Sequence, residues 1–323
     1  MEQKKLVSIL MPTYNHEKYI SQAIESVLMQ KANFAWELLI HDDCSTDGTL
    51  RIAQRYAELH PQQIKLISET KNIGLMRSYK KLIDISSGAY LAILESDDVW
   101  LDENKLQIQA DFLNAHDDYA IVATDIIHID KNGKTIKKHN EGEGRNNHIR
   151  NIERWYEPLL GNNGIDGACS VMFRKSDFLA HCDINEYIER NFLTFDHPTW
   201  LSLSFRKKCK YFPTVMAAYR IILTSLSNNA DEEKNMGFNL SIVEIEAFII
   251  EKYGLGSLSK KEYNHKICSN IIGKALNFRK RAVFCEYAKK LFPMTFKEKL
   301  MHFVPTAYYW LFVLYHRKTR SRK

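Results

Sequence analysis

LVSILMPTYNHEKYISQAIESVLMQ, residues 6–30, sets a short continuous apolar run ahead of a helical stripe. Ile20, Ala23, Ile24, Val27 and Leu28 recur at i, i+3, i+4, i+7 and i+8, one face of a helix. The stretch reads as a buried strand entering a helix, and the pattern repeats. WELLIHDD (36–43) is a second buried strand, and Asp47 is placed to cap a helix carrying Leu50, Ala53 and Ala57. IKLIS (64–68) is a third strand, followed by a helix near 75–85, and AYLAILE (89–95) is a fourth. A helix near 103–116 precedes a fifth strand, YAIVATD (119–125). Strands alternating with helices of about 12 residues imply right-handed crossovers and an α/β fold, a mainly parallel sheet covered by helices. Further on, GEGRNN (142–147) looks like a mobile loop, DGACSVMFRKSDF (166–178) like a strand entering a helix, and YFPTVMAAYRIIL (211–223) like another strand. Beyond Ser227, patterns such as Ile242, Ile245, Phe248 and Ile249 suggest three or four helices.

The chain has 323 residues, 45% hydrophobic and 26% charged, which excludes disorder, collagen-like repeats and coiled coil as descriptions of the whole. Its length suggests two structural units, 1–225 and a helical region 226–323. Six cysteines without a C-x-x-C pair read as packed thiols in a reducing compartment, not as a disulfide framework or zinc site. The N-terminus runs into its apolar stretch without cleavage-like small residues, so it does not read as a signal peptide. The net charge of +6 resides wholly in residues 297–323, which hold seven basic residues and one acidic one. The balanced remainder offers no broad basic face for nucleic acid.

In open sheets of this kind, ligands bind beyond the carboxyl ends of the strands. The first strand ends in Pro12-Thr13-Tyr14-Asn15, the second in Asp42-Asp43 and the fourth in Glu95-Ser96-Asp97-Asp98. Neither a G-x-G-x-x-G nor a P-loop pattern occurs, which argues against a dinucleotide-dependent dehydrogenase and a P-loop nucleotidase. Carboxylates without His or Cys suit a hard cation, Mg²⁺ or Mn²⁺, when a diphosphate supplies its remaining ligands. Taken singly, each pair has a plainer reading: Asp97-Asp98 as a helix cap, and Asp-Cys-Ser-Thr-Asp-Gly as a turn.

Together, PTYNHEKYISQAIESVLMQ, ELLIHDDCSTDGT and ESDDVW resemble glycosyltransferase family 2, of GT-A fold, in order and at the family's spacing. The resemblance continues through GACSVMFRKSDF, FDHPTW and VMAAYR, over roughly residues 5–225. It implies that Pro12, Tyr14 and Asp43 line the nucleotide-base pocket, that Asp97 sits near the ribose, and that Asp98 ligates a metal bridging the diphosphate. Asp196 falls where the family places its catalytic base, and Asp166 to Ser170 would border the acceptor. Two departures stand out. Glu95 replaces the first Asp of the D-x-D region, and Ile222 stands where some relatives carry a His, which leaves the metal's ligand set open. His41 and His197 flank important carboxylates but read more plainly as structural hydrogen-bonders. Cys44 and Cys169 read as packing groups. Arg77 could contact a diphosphate or a neighbouring carboxylate.

The implied function is inverting transfer of a sugar from a UDP-linked or other nucleotide-sugar to a saccharide hydroxyl, in cell-surface polysaccharide synthesis. Lipid-linked acceptors at the cytoplasmic face of the membrane are the natural setting. Two alternatives remain. A nucleotidyltransferase would want a Gly-rich basic loop after the first strand, which PTYNHEK lacks. A catalytically silent saccharide-binding protein on the same fold would not need Asp43, Asp98 and Asp196 intact. Finally, FVPTAYYWLFVLY (303–315) is uncharged, aromatic, interrupted by Pro305, too short to span a bilayer and followed by five basic residues. It reads as a peripheral contact with an anionic membrane through residues 303–323.

Overall fold

The computed structural model describes residues 7–137, 149–161, 165–223, 225, 230–291 and 296–320. Strands β1 (Val7–Thr13), β2 (Trp36–Asp42), β3 (Ile64–Ser68) and β4 (Tyr90–Ile93) pair in parallel in the order β3-β2-β1-β4. Helices α1 (Ile20–Leu28), α2 (Thr49–Leu59) and α3 (Leu75–Ile85) make the crossovers. β1 and β2 are buried at every position. Strands covered on both faces need no polar alternation, which is why VSILMPT reads as a continuous run. The sheet-facing stripe of α1 is fully buried at Ile20, Ala23, Ile24 and Val27. Asp47 serves α2 one residue outside its N-cap, accepting the Thr49 amide at 2.9 Å.

The chain then adds β5 (Val99–Trp100), α4 (Lys105–Ala115), β6 (Tyr119–Ile129) and β7 (Thr135–Lys137). After α5 (Tyr156–Leu159) a 3-10 turn at Ala168–Ser170 leads into β8 (Met172–Arg174), α6 (Lys175–His181), α7 (Ile184–Glu189), α8 (Asp196–Arg206) and β9 (Lys208–Arg220). Among the described residues the sheet runs β3-β2-β1-β4-β8-β6-β9-β5, with β7 on β6. β8 is antiparallel to both β4 and β6, and β5 is antiparallel to β9. The α/β class and the mainly parallel half are as the sequence implies. β5 and β7 escape a periodicity reading because two or three residues hold no period. The loop expected at 142–147 lies outside the described residues.

The polypeptide divides into two compact units: Met1–Leu159 with Gly164–Ile222, and Leu160–Asn163 with Leu223–Lys323. Among the described residues the second unit holds five helices, not three or four: α9 (Glu232–Tyr253), α10 (Lys260–Asn277), α11 (Arg281–Lys290), α12 (Phe296–Phe303) and α13 (Pro305–Arg320). Asp231 caps α9 by accepting the Glu233 amide at 2.8 Å, and Ser259 with Glu262 forms a capping box on α10. Pro305 does not merely interrupt a helix. It opens a new one, at the first position, where its missing N–H costs nothing. The core of this unit gathers Cys268, Ile272, Phe284, Ala288, Met301, Tyr309 and Val313.

Candidate active site

The loops after β1 and β2 are laced together. Asn15 and Cys44 both adopt left-handed backbone, at φ 57° and 64°. The Asn15 amide donates to Ser45 Oγ at 2.9 Å, and its side-chain oxygen accepts the Thr46 amide at 2.8 Å. The His16 amide reaches Thr49 Oγ1 at 2.8 Å, and Glu17 accepts the Gly48 amide at 2.7 Å. This bracing positions Pro12, which is buried, and Tyr14, whose ring is 44% exposed. An open, braced aromatic face suits a planar ligand. Asp43 is buried, and its carboxylate accepts the Ile73 amide at 2.7 Å and the Gly74 amide at 2.8 Å. It therefore secures the N-terminus of α3, where a negative charge meets the positive end of the helix dipole. Two of its lone pairs are committed to that helix.

The second cluster forms at the end of β4. Glu95 lies within electrostatic reach of Asp97 and Asp196, and Asp98 within reach of Asp97 and Glu95, although Asp196 comes from the start of α8, about a hundred residues downstream. Burial, then the charges of Asp97 and Asp196, push Glu95 up to about 8, even though it accepts the Tyr79 hydroxyl at 3.0 Å. Asp98 rises well above the carboxylate range for the same reasons: burial first, then Asp97 and Glu95. Asp98 is itself only 2% exposed. The cause is β9, which closes over it. The Arg220 amide donates to Asp98 Oδ1 at 2.8 Å, and the Cys169 thiol also hydrogen-bonds to this carboxylate.

Arg220 holds this corner from several directions. Its Nε donates to the Asp97 carbonyl at 2.7 Å, and its two terminal nitrogens reach the Asp130 carbonyl at 3.1 Å and Gln22 Oε1 at 2.7 Å. The guanidinium also lies 4.8 Å from the Tyr19 ring centroid. Such a fork fixes the Asp97-Asp98 turn and places one buried cation beside the carboxylates. Asp196 is half-buried. Its Oδ1 accepts the Thr194 hydroxyl and the His197 amide, the latter at 2.7 Å. Phe195 stacks on Tyr79 at 4.3 Å, tying the start of α8 to the residue that serves Glu95.

The 3-10 turn forms a third side. Asp166 pairs with His128 at 3.2 Å, and the buried Ser170 hydroxyl donates to the Gly167 carbonyl at 2.8 Å. Ser170 thus shapes the turn through its hydroxyl. Trp100 Nε1 holds the Cys169 carbonyl at 2.8 Å, and Gln109 Nε2 holds that of Ser170 at 2.8 Å. Lys105 lies fully buried beneath them, donating to Gln109 at 2.7 Å over the Trp100 ring, and burial brings it down to about 7.

Sequence reading did not foresee the roles of Tyr79, Lys105, Gln109 and Arg220. Tyr79, Gln109 and Arg220 find their partners across the fold, and the short-range Lys105–Gln109 pair turns inward only because the surrounding elements pack over it. His41 is buried and faces Glu69 at 3.2 Å, and Arg77 is exposed and donates to the Ile73 carbonyl at 3.3 Å. Among the described residues no three His, Cys, Asp or Glu side chains are placed to hold a metal by themselves. Crowded carboxylates with raised proton affinities fit a hard cation only where phosphate oxygens complete its shell.

The fold defines an α/β protein whose half-parallel, half-mixed sheet gathers acidic residues at the carboxyl ends of its strands. The chain belongs to glycosyl transferase family 2, whose profile matches residues 8–178. It is 39% identical over 127 residues to the putative glycosyltransferase EpsE of Bacillus subtilis, covering 39% of this chain and 45% of that protein. It is 42% identical over 105 residues to the Escherichia coli UDP-Glc:alpha-D-GlcNAc-diphosphoundecaprenol beta-1,3-glucosyltransferase WfgD, covering 32% of this chain and 39% of the other. The chain thus spans less than half the length of these curated relatives. The GT-A fold is shared with S. aureus TarS 1-349, solved in complex with UDP-GlcNAc, at a TM-score of 0.63 and 14% identity, over 97% of this chain and 92% of that one.

Proposed function

We propose that this protein transfers a sugar from a nucleotide-sugar, UDP-linked, to a hydroxyl of a saccharide acceptor, with inversion at the anomeric carbon. The observation that carries this reading is the approach of Asp196 to Glu95, which neighbours Asp97 and Asp98 at the end of β4, within a family-2 chain. The names of two similar proteins support the donor and setting. WfgD is named for UDP-Glc and a diphosphoundecaprenol-linked acceptor, and TarS was solved with UDP-GlcNAc. On this reading Pro12, Tyr14 and Asp43 receive the base, Asp97 lies toward the ribose, and Asp166 and Ser170 border the acceptor.

In a single displacement the acceptor hydroxyl gives its proton to Asp196 as its oxygen attacks the anomeric carbon. The bond to the diphosphate oxygen breaks, and nucleoside diphosphate leaves. The Thr194 hydroxyl and His197 amide hold Oδ1 of Asp196 and so aim the carboxylate. Asp98, steadied by Arg220, would hold Mn²⁺ or Mg²⁺, which when bound supplies positive charge to the departing diphosphate. Among the described residues no helix is long and apolar enough to cross a membrane. The setting we assign is the inner face of the cell membrane, with a peripheral contact through residues 303–323.

The test is nucleoside diphosphate release from UDP-, GDP- and dTDP-sugars, with and without Mn²⁺. Release favouring one nucleotide is expected, and changing Asp196 should slow that release sharply without altering the preference. Absence of release from every donor, with mono- and lipid-linked saccharides both supplied, would reject the reading.

A further inference from the structure

The second unit exposes apolar side chains where it has no need to. Around the passage from α12 into α13, Leu300 is 41% exposed, Phe303 74%, Val304 47% and Trp310 48%. These helices do not lack a core. Met301, Tyr309 and Val313 are buried against Phe284 and Ala288, and the Tyr309 hydroxyl donates to the Arg279 carbonyl at 2.7 Å. The packed face and the exposed face are separate. Leu300 and Phe303 on α12, and Val304 just past its end with its amide on the Leu300 carbonyl, follow the i, i+3, i+4 spacing of one outward stripe, which Lys297 begins. Four large apolar residues within eleven positions exceed the scatter of single exposed hydrophobes that any surface carries.

The charges around this corner indicate what would cover it. Lys297, Lys299, Lys289 and Arg281 are exposed, and the Arg281 guanidinium lies 5.9 Å from the Trp310 ring centroid. Of the nearby carboxylates, Glu286 is paired with Lys290 at 2.5 Å, and Glu298 lies 3.6 Å from the His265 ring. After α13 begins, the sequence adds Arg317, Lys318, Arg320, Arg322 and Lys323. A second copy docking at this corner across a two-fold axis would bring Lys297, Lys299 and Arg281 toward their own counterparts. An anionic lipid surface accepts both components: lysines extend to the headgroups while Phe and Trp enter the interface.

We infer that the α12–α13 corner is a docking surface for anionic phospholipid, with Phe303, Val304 and Trp310 entering the headgroup layer and Lys297 and Lys299 flanking them. This deepens the membrane contact of the proposed function, and it moves that contact from residues 303–323 as a whole to the α12–α13 corner, Lys297 and Lys299 included. Tyr309 and Val313, which belong to the same run, face the helical core instead.

The test needs no turnover, so it stands apart from the enzymatic reading. Full-length protein is sedimented with vesicles of phosphatidylcholine alone or with about one-third phosphatidylglycerol. Binding to the anionic vesicles is expected, weakened as salt shortens the screening length from about 10 Å at 0.1 M toward about 3 Å at 1 M. The double variant Phe303→Ser, Trp310→Ser should reduce partitioning by about tenfold, and Lys297→Glu with Lys299→Glu by a similar factor. All four positions are exposed, so circular dichroism and melting temperature should stay close to wild type. Full partitioning by both variants, or none by the wild type, would overturn the proposal. So would a wild-type dimer that either variant converts to a monomer, since the corner would then be an interface between copies.

Discussion

Glu95→Gln offers a quantitative check on the acidic edge. The folded protein raises Glu95 from an ordinary 4.5 to about 8, through burial and then through Asp97 and Asp196. Between those values the folded state holds a proton that the unfolded chain has released. Stability from this group is therefore complete below about pH 4.5 and is lost as pH rises to about 8. Each pKa unit is worth about 1.4 kcal/mol, so the full loss is at most about 5 kcal/mol. Glu95 is only half-buried, and screening there should leave about 2 kcal/mol. Asp98, raised for related reasons, acts in the same direction. Glutamine mimics the protonated acid and can still accept the Tyr79 hydroxyl. In the presence of a chelator, urea unfolding should show no advantage for Glu95→Gln near pH 4.5 and an advantage of about 2 kcal/mol at pH 8. In a chain of 323 residues that corresponds to a melting temperature higher by roughly 3 °C. A gap that stays constant with pH, or a wild type that gains stability between pH 5 and 8, would show that these carboxylates do not crowd one another.

Three further outcomes follow from the site. Asp98→Asn keeps an acceptor for the Arg220 amide, so the fold should survive while the Mn²⁺-stimulated part of nucleotide release disappears; persistent stimulation would remove Asp98 from the metal site. Asp196→Asn should lower kcat by about 10²–10⁴-fold with donor affinity nearly unchanged, measured by steady-state kinetics and donor titration. Arg220→Lys loses the forked bonds to Asp97, Asp130 and Gln22 and should cost on the order of 3 kcal/mol in urea unfolding; a loss below about 1 kcal/mol would mean that the clamp is dispensable.

Much of the first unit was legible because its strands and helices carry their own periods. IKLIS at 64–68 and the helix at 75–85 form with the bounds read from the sequence, since each is a local run bordered by turn residues. β5 and β7 were illegible, for a strand of two or three residues is defined by its partner and not by its pattern. Similarly, the carboxylates of Asp97, Asp98 and Asp196 could be named from their places in the chain, but the raised proton affinity of Asp98 could not. The shift of Asp98 depends on burial under β9, and that pairing spans more than a hundred residues.

The sequence by itself determined the alternation of strand and helix, the acidic residues at the strand ends and the family they resemble, because all three are written in neighbouring residues. Tertiary structure alone decided which carboxylates meet, that Arg220 clamps Asp97 and Asp98, and that Asp43 secures α3. It also decided which aromatic residues near the C-terminus face the core and which face outward. The reason is physical. Burial and charge proximity arise when remote segments pack, and a pattern of neighbours along the chain does not contain them.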